Sequence, residues 1–167
     1  TREKQIKLWS DLILSYCQHN NLQRLTVDNA EKLPLFHNTH QKYLFDYLLT
    51  KQGHLSREAI FIFLDSLATA GRAEWQDQRK KDAINIYWRT PSEWADIIQK
   101  WASDTGYSNS VLTVYELIEG DTGENTEFHN MDGELFRKAI AVLQKRGKAE
   151  LFQGSTSDED GVKFLNV

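Results

Sequence analysis

What most constrains this chain is an internal duplication. Ser56 to Trp75 reads SREAIFIFLDSLATAGRAEW, and Asp132 to Leu151 reads DGELFRKAIAVLQKRGKAEL. Each copy opens on a residue whose side-chain oxygen can accept from the unpaired N–H groups of a first helical turn. In the first copy Ile60, Phe63, Leu64 and Leu67 follow at helical spacing and define one apolar face. Glu58 matches Glu134 and Leu67 matches Leu143. Gly71 and Gly147 stop the two helices, since glycine takes the left-handed cap conformation without steric cost. Arg72-Ala73-Glu74-Trp75 and Lys148-Ala149-Glu150-Leu151 then alternate as short strands do. The period is too long for one turn of a solenoid and suits two small domains.

The flanking segments repeat as well. Residues 3 to 18 form a helical pattern with Ile6, Trp9, Ile13 and Tyr16 in one stripe, widened by Leu8, Leu12 and Cys17. Thr90-Pro91-Ser92-Glu93 starts a second such helix, with Thr90 as cap, Pro91 at the first helical position and Glu93 closing a capping box. Trp9, Asp11, Leu12, Ile13 and Tyr16 align on Trp94, Asp96, Ile97, Ile98 and Trp101. Leu25-Thr26-Val27, a short extended piece, is echoed by Leu112-Thr113-Val114. Thr113 and Glu116 form another capping box, which predicts a short helix over 115–119. Between 28 and 54 the first copy is less regular. Pro34 breaks any long helix, and Tyr43 to Leu49 reads as a short apolar helix or a buried connection. Residues 120–131 read as a polar loop around Phe128. Two hairpins finish the copies: 72–76 with 84–88, and 148–153 with 162–166 across a flexible, acidic GSTSDEDG loop.

Each half therefore runs helix, strand, helix, helix, hairpin. That order predicts an α+β, helix-rich fold of two tandem winged-helix domains, 1–89 and 90–167. No Gly/Ser linker separates Trp88 from Pro91, so a rigid joint is expected. In the second core Trp94, Ile98 and Trp101 are expected to touch Ile140 and Leu143.

No catalytic constellation is visible. The nine glycines are scattered and build no phosphate loop. His37 and His40 lack an acidic or thiolate partner at ligand spacing, and Asp158-Glu159-Asp160 reads as a solvated loop tip. Cys17 is the sole cysteine, so no disulfide or thiolate zinc site is expected, in keeping with a reducing compartment. No apolar run approaches the length of a membrane span, and no signal peptide is seen. The net charge of −4 and pI near 5.7 weigh against nucleic acid as main partner. The helix over 132–146 carries Arg137, Lys138, Lys145 and Arg146, which keeps a winged-helix DNA- or RNA-binding protein as the alternative, although its acidic wing would repel phosphate. Phe61 and Ile62 fall outside the core stripe; internal packing is expected for at least one of them.

Trp88 to Trp94 (WRTPSEW), Asn109 to Leu117 (NSVLTVYEL), Glu127-Phe128-His129 and Gly161-Val162-Lys163-Phe164 together resemble the smallest subunit of the endosomal sorting complex ESCRT-II. The opening Thr1 to Gln5 and Pro34 to Asn38 fit as well, so the likeness covers essentially the whole chain. It implies two winged helices in tandem, no enzymatic activity and no cofactor. It implies two larger ESCRT-II subunits as partners, two copies of this subunit in a Y-shaped complex, and an aromatic, proline-rich N-terminal arm ahead of the residues in hand. It implies cytoplasmic protein recruited to the endosomal membrane without direct insertion, sorting ubiquitinated cargo into multivesicular bodies. The second winged helix would recruit a helical ESCRT-III subunit through a contact that includes Thr113. Tyr115 of the same motif, with Arg137 and Lys138, completes the expected partner-binding set; specific nucleic acid is not expected.

Overall fold

Capping residues fix most of the element boundaries. In the computed structural model, which describes residues 1–37 and 55–166, the chain divides into two compact units, Thr1–Trp88 and Arg89–Val167. The first holds α1 (Arg2–His19), β1 (Arg24–Thr26), α2 (Val27–Ala30), a 3-10 turn at Pro34–His37, α3 (Arg57–Thr69), β2 (Ala73–Trp75) and β3 (Ala83–Ile86). The second holds α4 (Pro91–Thr105), β4 (Val111–Thr113), α5 (Val114–Ile118), a 3-10 turn at Asp121–Gly123, α6 (Gly133–Lys145), β5 (Ala149–Phe152) and β6 (Gly161–Phe164). Each unit pairs its strands into a small antiparallel sheet, β1-β3-β2 and β4-β6-β5. Three helices and a three-stranded sheet ending in a hairpin make each unit a winged helix.

Local chemistry follows the sequence closely at the caps. Ser56 Oγ accepts from Ala59 N–H at 3.2 Å, and Asp132 Oδ2 accepts from Leu135 N–H at 3.1 Å. Thr90 and Glu93 form the reciprocal capping box, with Pro91 at the first helical position. Gly71, Gly106 and Gly147 all take positive φ, between 69° and 75°, where a side chain would be strained.

Alternation along the strands puts Leu25, Trp75, Ile84 and Ile86 into the first core, with Trp9 stacked against both Phe36 and Phe63. Phe61 and Ile62 pack against this core too, and Phe61 stacks on Trp75 at 5.7 Å. The second core gathers Trp94, Ile98, Phe128, Phe136, Ile140, Leu143, Val162 and Phe164.

Several expectations need correcting. Val27 does not extend a strand. It opens α2, because Thr26 Oγ1 accepts from Asn29 N–H at 3.2 Å, as Thr113 does in the second unit, but with no glutamate to return the bond. On α1 the buried line is Trp9, Ile13 and Cys17; Tyr16 is half-buried, and Leu8 is exposed, since it lies about 140° round the helix from Ile13. Trp101 is half-buried, because its ring is covered by Tyr107 and by the edges of Phe128 and Phe164 and borders an open recess of about 370 Å³. The segment Tyr43 to Leu49, with His40, lies outside the described residues.

Candidate docking site

The second wing is built around one carboxylate. Asp160 is nearly buried; its Oδ1 accepts from Gly154 N–H at 2.9 Å and its Oδ2 from Arg137 Nε at 3.1 Å. Its backbone oxygen also accepts from Val114 N–H at 2.8 Å. One residue thus ties the hairpin to α6 and to the start of α5. The Gly154 bond, then the Arg137 guanidinium, hold the Asp160 carboxyl below the ordinary carboxylate range. The loop read from sequence as flexible, with a solvated acidic tip, is instead a 3-10 turn over Ser157–Glu159, and its last acid faces inward. Among the described residues no group of three or more His, Cys, Asp or Glu could hold a metal ion. Burial pushes the Cys17 thiol up to about 12, far from a reactive thiolate.

The four residues singled out for partner binding fall into two environments. Arg137 donates to Asp160 and to Ser157 O and is committed to the wing; Lys138 is half-buried beside it on α6. Thr113 and Tyr115 sit at the β4–α5 junction. Thr113 Oγ1 accepts from Glu116 N–H at 3.1 Å, and Glu116 Oε2 accepts from Thr113 N–H at 2.7 Å, so the residue is locked in place. Tyr115, with no such tether, is 51% exposed.

Sheet register reveals two residues that the sequence reading passed over. Thr113 pairs with Gly161, and Gly161 with Phe152; Val111 pairs with Lys163, and Lys163 with Glu150. With a period of two, Val111, Thr113, Gly161, Lys163, Glu150 and Phe152 share the outer face of the sheet. Val111 is 58% exposed and Phe152 47%. They flank Gly161: a methyl there would lie 3.4 Å from Val111 Cγ1 and 3.7 Å from Phe152 Cβ. Having no side chain at 161 leaves a shallow apolar trough beside Thr113.

The first unit is an internal control. Its matching positions are Arg24, Thr26, Ala83, Asn85, Glu74 and Gln76, and Gln76 Nε2 donates to Asn85 Oδ1 at 3.0 Å. Arg24 and Gln76, both exposed, are replaced by Val111 and Phe152. Superimposing the two copies in sequence would have exposed this exchange; a search for charged or catalytic residues does not.

Comparison with known proteins gives the architecture a family. The family model described as ESCRT-II complex subunit matches residues 1–132. The chain belongs to the ESCRT-II complex subunit family. It is 38% identical over 165 residues to vacuolar protein-sorting-associated protein 25 of Xenopus laevis, spanning 99% of this chain and 87% of that one. The Homo sapiens protein of the same name is also 38% identical, with 99% and 86% covered, and that of Arabidopsis thaliana 37%, with 98% and 84%. Among solved structures, subunit VPS25 of the endosomal trafficking complex ESCRT-II matches with a TM-score of 0.77 at 27% identity, over 98% of this chain and 88% of that one. A chain of the endosomal complex ESCRT-II (VPS22/VPS25/VPS36) matches with a TM-score of 0.76 at 26% identity, over 98% and 88%. The chain is thus an ESCRT-II subunit of the vacuolar protein-sorting type. No helix among its described residues is long and apolar enough to cross a membrane.

Proposed function

We propose that this ESCRT-II subunit is a non-enzymatic adaptor whose second winged helix recruits a helical ESCRT-III subunit through the outer face of the β4-β6-β5 sheet. The observation that carries the proposal is the trough of Val111, Gly161 and Phe152 beside Thr113, set against a polar face at the same positions of the first unit. An amphipathic helix laid there buries its apolar side on Val111 and Phe152, while Lys163, Glu150 and Tyr115 supply polar contacts around them. Thr113 combines a structural and a docking role: its hydroxyl caps α5, and by register it shares the outer face with Val111 and Phe152. Arg137 acts behind this face by holding the wing, and Lys138 contributes charge on α6. The two units serve as separate domains, the first and its flanks engaging two larger ESCRT-II subunits of the kind named in the VPS22/VPS25/VPS36 complex. The complex works at the cytoplasmic side of the endosomal membrane, sorting ubiquitinated cargo into multivesicular bodies.

Nucleic-acid binding is the weaker reading, because the basic residues of α6 do not form a continuous positive face. Arg137 pairs with Asp160, and Arg146 with Asp96. The adaptor reading is tested with purified ESCRT-III subunit and full-length protein carrying Val111→Asp, Phe152→Asp or Thr113→Lys. Each variant should stay folded by circular dichroism, still co-purify with the larger subunits, and bind the ESCRT-III subunit about tenfold or more weakly. Unchanged binding by the folded Phe152→Asp protein rejects the sheet face.

A further inference from the structure

The two units make matching contacts at many positions, so a place where they part is informative. Lys148 Nζ donates to Asn166 O at 2.8 Å, and in the first unit Arg72 Nη2 donates to Trp88 O at 2.8 Å. Leu165 N–H reaches Lys148 O, and Tyr87 N–H reaches Arg72 O, again both at 2.8 Å. They diverge just before this, on the seam between the first and third helices. In the second unit Arg146, at the C-terminal cap of α6, extends Nη1 to Asp96 Oδ1 on α4 at 2.6 Å and bridges the seam. Asp11 on α1 is the counterpart of Asp96, but Ala70, the C-terminal cap of α3, stands where Arg146 would be.

Three features meet at that spot. Asp11 is exposed and has no ion pair or hydrogen-bond partner among the described residues. Ser10, whose counterpart is Ala95, is more than nine-tenths buried, and its Oγ has no hydrogen-bond partner. An open recess of about 470 Å³ remains, lined chiefly by Ile6, Leu14 and Leu67 with Ser10, Asp11 and Ala70. Of the other charges on its rim, Arg72 is held by Trp88 O, while Glu3 and Lys7 stand on the preceding turns of α1 with opposite signs. A buried hydroxyl left unpaired is costly, and an unpaired carboxylate beside apolar surface favours a cation.

We infer that this recess on the first unit docks a segment of a partner protein that carries an apolar side chain next to an arginine. The guanidinium takes the place on Asp11 that Arg146 fills on Asp96. The apolar side chain enters between Ile6, Leu14 and Leu67. Arginine suits the site better than lysine because its planar, weakly hydrated fork retains carboxylate contacts against an apolar wall. The site is separate from the sheet face of the second unit, and neither depends on the other.

The probe is a phage-displayed library of random short peptides, panned on the whole chain and counter-selected on the Ala70→Arg protein, which copies the second unit's closure. Enriched peptides should share an arginine beside Leu, Ile or Phe. A synthetic peptide of that sequence should bind wild type and lose about tenfold or more in affinity to Ala70→Arg and to Asp11→Asn, while binding Val111→Asp as it binds wild type. Ala70 is an exposed cap, so Ala70→Arg should unfold at the wild-type temperature; Asp11→Asn carries the test alone if it does not. The inference is overturned if no peptide is enriched, if enriched peptides lack the basic residue, or if they bind both recess variants normally. Self-association in sedimentation that Ala70→Arg abolishes would assign the recess to a second copy of this chain, which also overturns it.

Discussion

Asp160 shows how one side chain can carry a whole loop. A carboxylate that accepts from a backbone N–H and a guanidinium is favoured in its charged form, so its folded pKa lies below the unfolded one. The stabilisation is complete above the unfolded carboxylate value of about 3.9 and is lost as pH falls through the lower folded value. Asp160→Asn should therefore lower the thermal midpoint of the second unit by a few degrees at neutral pH, with the gap to wild type closing in acid. Thermal melts followed between neutrality and strong acid decide the point: a gap constant with pH would mean that the charge is irrelevant. Nothing in the residue string DEDG tells Asp160 from Asp158 or Glu159, since only the fold brings Arg137 and Gly154 to it.

Among the elements, α5 is too short to persist on its own propensity and depends on its surroundings. The Thr113–Glu116 box fixes its start, and Val114, Leu117 and Ile118 are buried. Its far side is covered by the loop that follows, where Gly123 comes so near that an added Cβ would lie 1.7 Å from Leu117 O. No side chain fits there. Gly123→Ala should cost about 1–3 kcal/mol or more by denaturant unfolding, because backbone rather than a flexible side-chain tip would have to move. A loss of only a few tenths would show that the loop can lift away. Because α5 begins directly after Thr113, strain there should also weaken binding at the outer sheet face. The capping box was legible in the spacing of Thr113 and Glu116, and the loop's aromatic plug was visible as Phe128. The need for glycine at 123 was not, because a close backbone approach leaves no pattern in sequence.

At the level of the molecule, each of the two compact units has its own hydrophobic core. Phe63, buried and stacked on Trp9, anchors the first. Phe63→Ala should destabilise that unit by about 3–5 kcal/mol and leave the second unit's calorimetric transition where it was. A single transition moving as a whole would show that the two unfold together. The duplicated units also differ on their surfaces. The copies keep side-chain caps at matching helix starts and a glycine after the third helix, yet the outer sheet face carries exposed Val111 and Phe152 in the second where Arg24 and Gln76 stand in the first, and the α1–α3 seam is open in the first where an arginine bridges it in the second.

Helix starts, glycine stops, strand alternation and the repeat itself were determined by the sequence, because each depends on side chains a few positions apart whose geometry the backbone dictates. The family likeness lay in the same local order of motifs. What only the tertiary structure decided was which residues of separate elements meet. Val111 and Phe152 are ordinary apolar residues until strand register sets them on either side of Gly161. Asp160 is an ordinary acid until the hairpin folds it onto Arg137. Trp101 belongs to a core stripe in sequence, yet it is only half-buried, its ring meeting Tyr107, Phe128 and Phe164 and bordering an open recess. Such pairings span tens of residues, and their identity is fixed by packing and register, to which no short-range pattern is sensitive.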